Sequence, residues 1–377
     1  MIKVLIVDDS VVFRKILQEA LSRHSRIRVV GAAVNGREAL RQIPVLRPHL
    51  LILDVEMPEM DGLQTLDEIR RRKLNVGAIM FSTLTSKGAE VTLEALSKGA
   101  FDFTPKPTGQ GAFAESVRTI EKELIPKILA YGESKRMAPV PRPAKKAVPL
   151  RPVRPVKKAP EVRRAMPARP VMRRLLHRPE AVVIGVSTGG PNALNSVIPF
   201  FPANFNLPIF LVQHMPPVFT NQLARRLDDK SKLKVVEATD KMVIKSGTVY
   251  VAPGDFHMVV KDVGGRIIRL NQDPPVNSCR PSVDVLFNSV AEIYGGRVVA
   301  VVMTGMGHDG LEGCRKLKEK GATVIVQNRE SCVVWGMPRF VEEAGLADRV
   351  CPLENITPTI LELCGFNRAA SNVAAGK

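Results

Sequence analysis

No window of the chain approaches the roughly 18 uninterrupted apolar residues that a membrane-spanning helix requires, so no segment is expected to insert in a bilayer as a helix. The first residues, MIKVLIVDDS, turn acidic after an apolar run too short for a signal-peptide core, and the expected location is the cytoplasm. The five cysteines (Cys279, Cys314, Cys332, Cys351, Cys364) are an odd number, contain no C-x-x-C pair and fall in the C-terminal third. They are expected to be reduced thiols, mostly in the core, which excludes a disulfide or zinc framework. With 45% hydrophobic and 24% charged residues the composition also excludes wholesale disorder and a fibrous repeat. What remains is a chain of 377 residues, long enough for two domains at about 150 residues each.

The charge is unevenly spread. Of the formal +18, residues 133–179 carry 15 Lys and Arg against only Glu133 and Glu161, a net +13 that leaves +5 for everything else. The same stretch holds ten prolines and no Phe, Trp, Tyr or Ile, its Val, Leu and Met being scattered among Pro, Lys and Arg, so it cannot bury enough surface to offset the entropy of ordering. It reads as a disordered basic linker over 132–179, extended by proline and self-repulsion, with an end-to-end distance on the order of 40 Å even as a flexible coil. A second reading, contact with an acidic protein, a membrane surface or nucleic acid, lacks the interleaved aromatics that stack on bases.

On either side of the linker the pattern is that of α/β domains. From Lys3 to Ala130, short apolar runs (KVLIV, RVVGAAV, LLILD, AIMFS, FDFT) alternate with amphipathic stretches of helical length, which predicts a parallel sheet with helices on both faces. Ligands of such sheets bind beyond the carboxyl ends of the strands. There stand Asp8 and Asp9 after the first strand, Asp54 after the third, Ser82 and Thr83 after the fourth, and Lys106 after the fifth. Three converging carboxylates repel one another unless a hard divalent cation joins them, and an all-oxygen set suits Mg²⁺. A carboxylate so placed can also attack phosphorus, with the cation and an ammonium group offsetting the growing charge.

The second pattern starts with AVVIGV at Ala181, followed by the turn STGGP from Ser187 to Pro191 and an apolar helical stretch. Gly185 to Gly189 reads G-x-S-x-G, a strand-turn-helix pattern that exposes a serine hydroxyl; a glycine-rich turn of this kind could equally cradle a phosphate. The dinucleotide fingerprint is weakened by serine standing where its second glycine should be. A serine needs a base and a group to orient that base. His214 directly follows the apolar strand PIFLVQ and so lies at the same sheet edge as Ser187, whereas His257 enters an outer strand and reads as structural. VVAVVM runs into TGMGHDG, which carries Asp309 to that edge as the orienting carboxylate, while the adjacent His308 has no evident role. The order Ser, His, Asp differs from that of the α/β-hydrolases, which argues against that fold and leaves the chemistry intact.

At these residues two resemblances become specific. Residues 1–131 resemble a response-regulator receiver domain of flavodoxin-like fold. The resemblance implies that Asp54, in LILDVEMPEMDG, is the phosphoacceptor; that Asp8, Asp9, Asp54 and the carbonyl of Glu56 hold Mg²⁺; and that Ser82, or its neighbour Thr83, is the switch hydroxyl. It further implies that Lys106 pairs with the phosphoryl group across a cis bond to Pro107. Residues 180–366 resemble the chemotaxis protein-glutamate methylesterases, a doubly wound, Rossmann-like domain, through GVSTGGPNAL, VQHMPPVFTNQLARRL, YVAPGDFHMVV, PPVNSCRPSVDVLFNSVA, MTGMGHDG and VVWGMPR; residues 367–377 are left as a tail. This likeness implies Ser187 as nucleophile, His214 as base and Asp309 as orienting residue, with the backbone N–H of Thr188 or Met306 in the oxyanion hole and no cofactor for the esterase. It also implies the partners: glutamyl methyl esters, and glutamines, on the cytoplasmic helices of chemoreceptors as substrate, and the chemotaxis histidine kinase as phosphodonor. A DNA-binding output domain would be a small helical unit, unlike this long, strand-rich, nearly neutral half, and no nucleic-acid partner is expected.

Overall fold

The computed structural model describes residues 1–107, 112–137 and 178–366. In the first unit strands β1 (Ile2–Val7), β2 (Ile27–Ala33), β3 (Leu50–Asp54), β4 (Gly77–Ser82) and β5 (Asp102–Pro105) alternate with helices α1 (Val11–Ser22), α2 (Gly36–Leu46), α3 (Gly62–Arg71), α4 (Ser86–Ser97) and α5 (Phe113–Met137). The strands are all parallel, in the order β2-β1-β3-β4-β5. The strand period of two divides the side chains between the faces: Leu5 and Val7 of β1 enter one core, Val4 and Ile6 the other. Local chemistry starts the helices. Ser10 accepts from Phe13 N to cap α1, and Asp61 and Gln64 form a reciprocal capping box at α3.

Helix α5 runs past the expected boundary at residue 131 to Met137. The extension follows from packing. Tyr131 is buried, meets Phe101 edge-on at 5.2 Å and donates its hydroxyl to the His49 carbonyl at 2.9 Å, so the helix stays docked well beyond Ala130. The rest of the expected linker, and the tail after Phe366, lie outside the described residues. The expected cis bond at Lys106–Pro107 is corrected: that bond is trans, the Lys106 N–H extends the β4–β5 ladder onto Ser82 O at 2.7 Å, and the cis bond among the described residues is Arg280–Pro281.

The second unit contains β6 (Ala181–Val186), α6 (Gly190–Asn195), β7 (Ile209–Gln213), α7 (Phe219–Asp228), β8 (Lys234–Glu237) and β9 (Thr248–Val251), then β10 (His257–Asp262), β11 (Arg266–Asn271), α8 (Val283–Tyr294), β12 (Val298–Val302) and α9 (Leu311–Glu319). It closes with β13 (Thr323–Gln327), α10 (Met337–Glu343), β14 (Arg349–Cys351) and α11 (Ile356–Leu363). Seven strands form a parallel sheet, β14-β13-β12-β6-β7-β9-β8. Along β6, Val182, Ile184 and Val186 face one core, and Ala181 and Val183 face the other. The strand containing His257 is not in this sheet: β10 and β11 make a separate antiparallel hairpin that leans on α8, where Val260 N donates to Ser289 Oγ at 3.1 Å. Strand order reverses around β6, flanked by β12 and β7, which opens a crevice at their carboxyl ends.

The two units share one apolar cluster, in which Leu93, Leu96 and Phe103 of the first meet Ala193, Phe219 and Leu223 of the second. Phe103 and Phe219 stack with centroids 4.5 Å apart and planes 11° apart. Around them Asn192 Nδ2 donates to Leu96 O (2.7 Å) and Arg226 donates to Ser97 Oγ (2.6 Å). Phe81 is fully buried in the separate core of the first unit and set edge-on to Phe13, so it probes the packing there. Phe81→Ala is expected to cost about 3–5 kcal/mol, read as a lowered denaturant midpoint of the first unit's unfolding transition; an unchanged midpoint would refute the packing account.

Candidate active site

The crevice of the second unit is built from three strand ends. After β6 the chain turns through Ser187, Thr188 and Gly189 into α6. Gly189 has φ +79°, and a Cβ there would stand 2.6 Å from Val333, so the turn requires glycine. The turn is pinned from both sides: Ser187 N donates to Thr304 O (3.0 Å), Gln213 Nε2 donates to Ser187 O (3.0 Å), and Thr304 Oγ1 donates to Thr188 O (2.9 Å). After β7 comes His214, whose N–H is held by Val186 O at 3.2 Å. After β12, the TGMGHDG loop delivers Asp309, which is 2% exposed.

His214 Nε2 donates to Asp309 Oδ2 at 2.8 Å. Asp309 is held by four further donors: Asn277 Nδ2 (2.9 Å), Ser282 Oγ (2.8 Å) and the backbone N–H groups of Val283 (2.6 Å) and Asp284 (3.2 Å). Burial by itself would raise this carboxyl, but the His214 hydrogen bond and charge, then Asn277 and Val283, carry it well below the usual carboxylate range. Burial likewise works against a charged imidazole, and the Asp309 hydrogen bond followed by the Cys279 contact outweighs it, pushing His214 up to about 10. The nitrogen left facing the cavity is Nδ1, and what stands against it is Cys279 Sγ at 3.6 Å rather than the Ser187 hydroxyl. Ser187, His214 and Met306 line one cavity of about 550 Å³. The three residues expected at one sheet edge therefore stand at one site, and the structure hydrogen-bonds two of them.

The segment NSCRPSVD, from Asn277 to Asp284, supplies what residue-type reasoning left unassigned. Asn277 bridges the two carboxylates, donating to Asp284 Oδ2 (2.8 Å) as well as to Asp309. Asp284 in turn accepts from Gly310 N (3.0 Å) and Gly313 N (2.7 Å), and burial, with the nearby Asp309 charge, pushes it up to about 6. His257 is structural, as expected: Ser282 N donates to its Nδ1 (3.3 Å) and its Nε2 donates to Pro274 O (3.2 Å), which steadies Ser282 under Asp309. His308 packs edge-on to Phe340 at 5.7 Å. The expectation of free, mostly core cysteines holds: Cys314, Cys351 and Cys364 are buried, Cys332 is half-buried, and the half-buried Cys279 is carried by its loop to the imidazole.

At the carboxyl edge of the first unit, Asp8, Asp9 and Asp54 offer carboxylate oxygens within 4.8 Å of one another. Lys106 Nζ approaches Asp8 Oδ2 at 2.9 Å and Asp54 Oδ2 at 2.8 Å, yet neither oxygen has an aligned hydrogen-bond donor, so these are charge contacts. Burial first, with the neighbouring Asp8 charge, pushes Asp54 up to about 6. Ser82 Oγ donates to the carbonyls of Gly88 (3.2 Å) and Thr83 (3.3 Å), and the Thr83 hydroxyl lies 3.3 Å from that of Thr85. Glu56 N donates to Asp54 Oδ1 at 3.3 Å.

A receiver-type acid pocket and a hydrolase-type histidine–aspartate pair thus occupy the strand ends of two joined α/β units. Comparison with known proteins agrees with both halves. The receiver-domain family model (Response regulator receiver domain) matches residues 4–118, and the CheB methylesterase family model matches residues 182–360. A protein-glutamate methylesterase/protein-glutamine glutaminase of Trichodesmium erythraeum is 45% identical over 96% of this chain and 99% of its own, and one of Pyrococcus abyssi is 41% identical over 99% and 96%. Among solved structures, the Thermotoga maritima CheB methylesterase catalytic domain is 48% identical, covering 49% of this chain and 98% of that one with a TM-score of 0.48. The chain belongs to the receiver-linked CheB methylesterase family, and it is an ester hydrolase. Among the described residues no helix is long and apolar enough to cross a membrane.

The pairing sets a pH dependence. The raised His214 contributes stability that is complete below its unfolded value near 6.5 and is lost as pH climbs through about 10. The depressed Asp309 is lost only in acid, below the ordinary carboxylate range. The stability gap between the parent and Asp309→Asn is therefore expected to narrow as pH rises from 6.5 through 10, by no more than roughly 1.4 kcal/mol per pH unit. Denaturation curves across that range measure it, and a constant gap contradicts the pairing.

Proposed function

We propose that this chain hydrolyses glutamyl methyl esters, and deamidates glutamines, on the cytoplasmic helices of chemoreceptors in chemotaxis adaptation, and that phosphorylation of Asp54 by a histidine kinase switches it on. The observation that carries the reading is the buried His214–Asp309 pair opening on the cavity that also contains Ser187. In this reaction the neutral form of His214, a minor fraction at neutral pH given its raised value, takes the Ser187 proton on Nδ1 as Oγ attacks the carbonyl, and returns it to the departing methanol or ammonia. Water then attacks the acyl-enzyme by the reverse path and releases the carboxylate. Asp309 holds the proton on Nε2 so that Nδ1 is free to act, and stabilises the imidazolium that forms. Among the described residues the N–H groups of Thr188 and Met306 donate to no protein acceptor, which suits them to the oxyanion.

Control is attributed to the shared interface. Asp102 and Phe103 of the receiver line the same cavity as Ser187, and Thr188, the residue next to the nucleophile, donates its hydroxyl to Asp102 Oδ2 at 2.8 Å. Strand β5, which carries Asp102 and Phe103, runs straight into Lys106. A phosphoryl group on Asp54 adds about −1.5 to −2 charge and draws Lys106 away from Asp8, with Ser82 leaving the Gly88 carbonyl to bond it. The strand that stacks Phe103 on Phe219 is thereby displaced and the receiver loosens from the cavity.

The donor set of the acid pocket fits a divalent cation: three clustered carboxylates, two of them with oxygens lacking an aligned donor. Asp8, Asp9 and Asp54, with the Glu56 carbonyl, would hold Mg²⁺. Bound there, the ion supplies positive charge against that of the incoming phosphoryl group.

Ser187→Ala is expected to lower kcat on the order of 10⁶-fold in methanol release from methylated receptor; appreciable turnover would mean that another group is the nucleophile. Asp54→Asn is expected to keep the low basal rate and to lose all stimulation by a small phosphodonor such as acetyl phosphate. Stimulation equal to the parent's would refute phosphorylation at this residue.

A further inference from the structure

One group in the esterase cavity has no part in the hydrolysis described. Cys279 comes from a strained turn, with φ of +52° at Asn277 and +62° at Ser278, that sets its thiol 3.6 Å from His214 Nδ1. Zinc bonds to thiolate and imidazole of about 2.3 and 2.05 Å, meeting at the tetrahedral angle, hold sulfur and nitrogen about 3.6 Å apart. The two donors therefore already stand at the separation that such an ion imposes. His214, Cys279 and Asp309 together bring one soft, one borderline and one hard donor within 4.8 Å of one another. Both Asp309 oxygens are committed to the imidazole and to the Asn277, Ser282 and backbone donors. Asp309 would then act from behind the ring, fixing its orientation as carboxylates behind zinc-bound histidines do. The open positions of the ion face the cavity of about 550 Å³, which leaves room for water ligands.

We propose that Cys279 Sγ and His214 Nδ1 form a binding site for a thiophilic divalent cation of the zinc class, and that occupancy inhibits the hydrolase. The cation displaces the protons on Sγ and on Nδ1 to solvent and forms one bond to sulfur and one to Nδ1. Inhibition rests on the proposed role of His214, because the nitrogen taken by the metal is the one that must accept the Ser187 proton. The site is selective among the cysteines: Cys314, Cys351 and Cys364 are buried, and burial foremost pushes the Cys332 thiol up to about 12.

The test uses the full chain with zinc chloride in thiol-free buffer, each variant compared with its own metal-free rate of methanol release. Zinc is expected to inhibit the parent reversibly, with EDTA restoring activity, and the half-inhibiting concentration is expected to rise at least tenfold in Cys279→Ser. Cobalt(II) is the second probe. A thiolate-to-cobalt charge-transfer band is expected in the parent and in Ser187→Ala, and is expected to vanish in Cys279→Ser. Absence of that band in the parent, or equal zinc sensitivity in parent and Cys279→Ser, would overturn the site while leaving the esterase reading untouched. A Cys279-dependent cobalt band with hydrolysis indifferent to zinc would overturn the inhibitory step together with the assignment of His214 as base.

Discussion

The second domain is organised around one buried anion. Asp309 is almost fully removed from water, and a carboxylate in that position survives as a charge only if it is surrounded by donors. Five are supplied, from two stretches of chain: the imidazole after β7, and the segment from Asn277 to Asp284, which gives the Asn277 amide, the Ser282 hydroxyl at the cap of α8 and the first two N–H groups of that helix. The consequence reaches outward. The helix start, the turn before it and the strand end carrying His214 are all tied to the same two oxygens, so the imidazole is bonded to a carboxylate that four other donors hold in place. The fixed orientation of the imidazole is a by-product of solving a solvation problem.

The nitrogen assignment follows from the same anchor. Because Asp309 takes Nε2, the ring presents Nδ1 to the cavity, where a thiol meets it. The serine lies on a turn fixed by other means, through Thr304, Gln213 and a glycine at positive φ. The Ser187 turn and the His214 imidazole are thus held by different side-chain contacts but joined through the backbone, where Gln213 donates to both carbonyls and His214 N–H to Val186 O, and the receiver stands at the cavity between them. Its contact with Thr188 touches the serine turn, whereas the histidine framework lies wholly within the catalytic domain.

The link from the acid pocket to that cavity is short because of strand geometry. Strand β5 alone separates the ring that stacks on Phe219 from the ammonium that pairs with Asp54 and Asp8. The single apolar cluster shared by both domains gives the closed arrangement much of its adhesion, while the polar contacts around it, Asn192 to Leu96 and Arg226 to Ser97, set its register.

Much of this was legible in the residues themselves. Short apolar runs alternating with amphipathic stretches required parallel sheets, and parallel sheets put whatever follows each strand on one edge; that alone brought Asp8, Asp54 and Lys106 to one end of the first sheet, and Ser187, His214 and Asp309 to one end of the second. The sequence could not specify what lies opposite those groups, because hydrogen-bond partners come from segments whose approach depends on packing. Asn277, Ser282 and Asp284 sat in a stretch of ordinary polar residues until the hairpin and α8 folded them beneath Asp309. Cys279 read as one more core thiol until the turn at Asn277 and Ser278 aimed it at the imidazole. The length of α5 was likewise hidden, since only the burial of Tyr131 reveals that the helix outlasts the domain. Strand ends are decided by local pattern, whereas neighbours across a cavity are decided by how the completed layers dock, and only the tertiary structure contains that information.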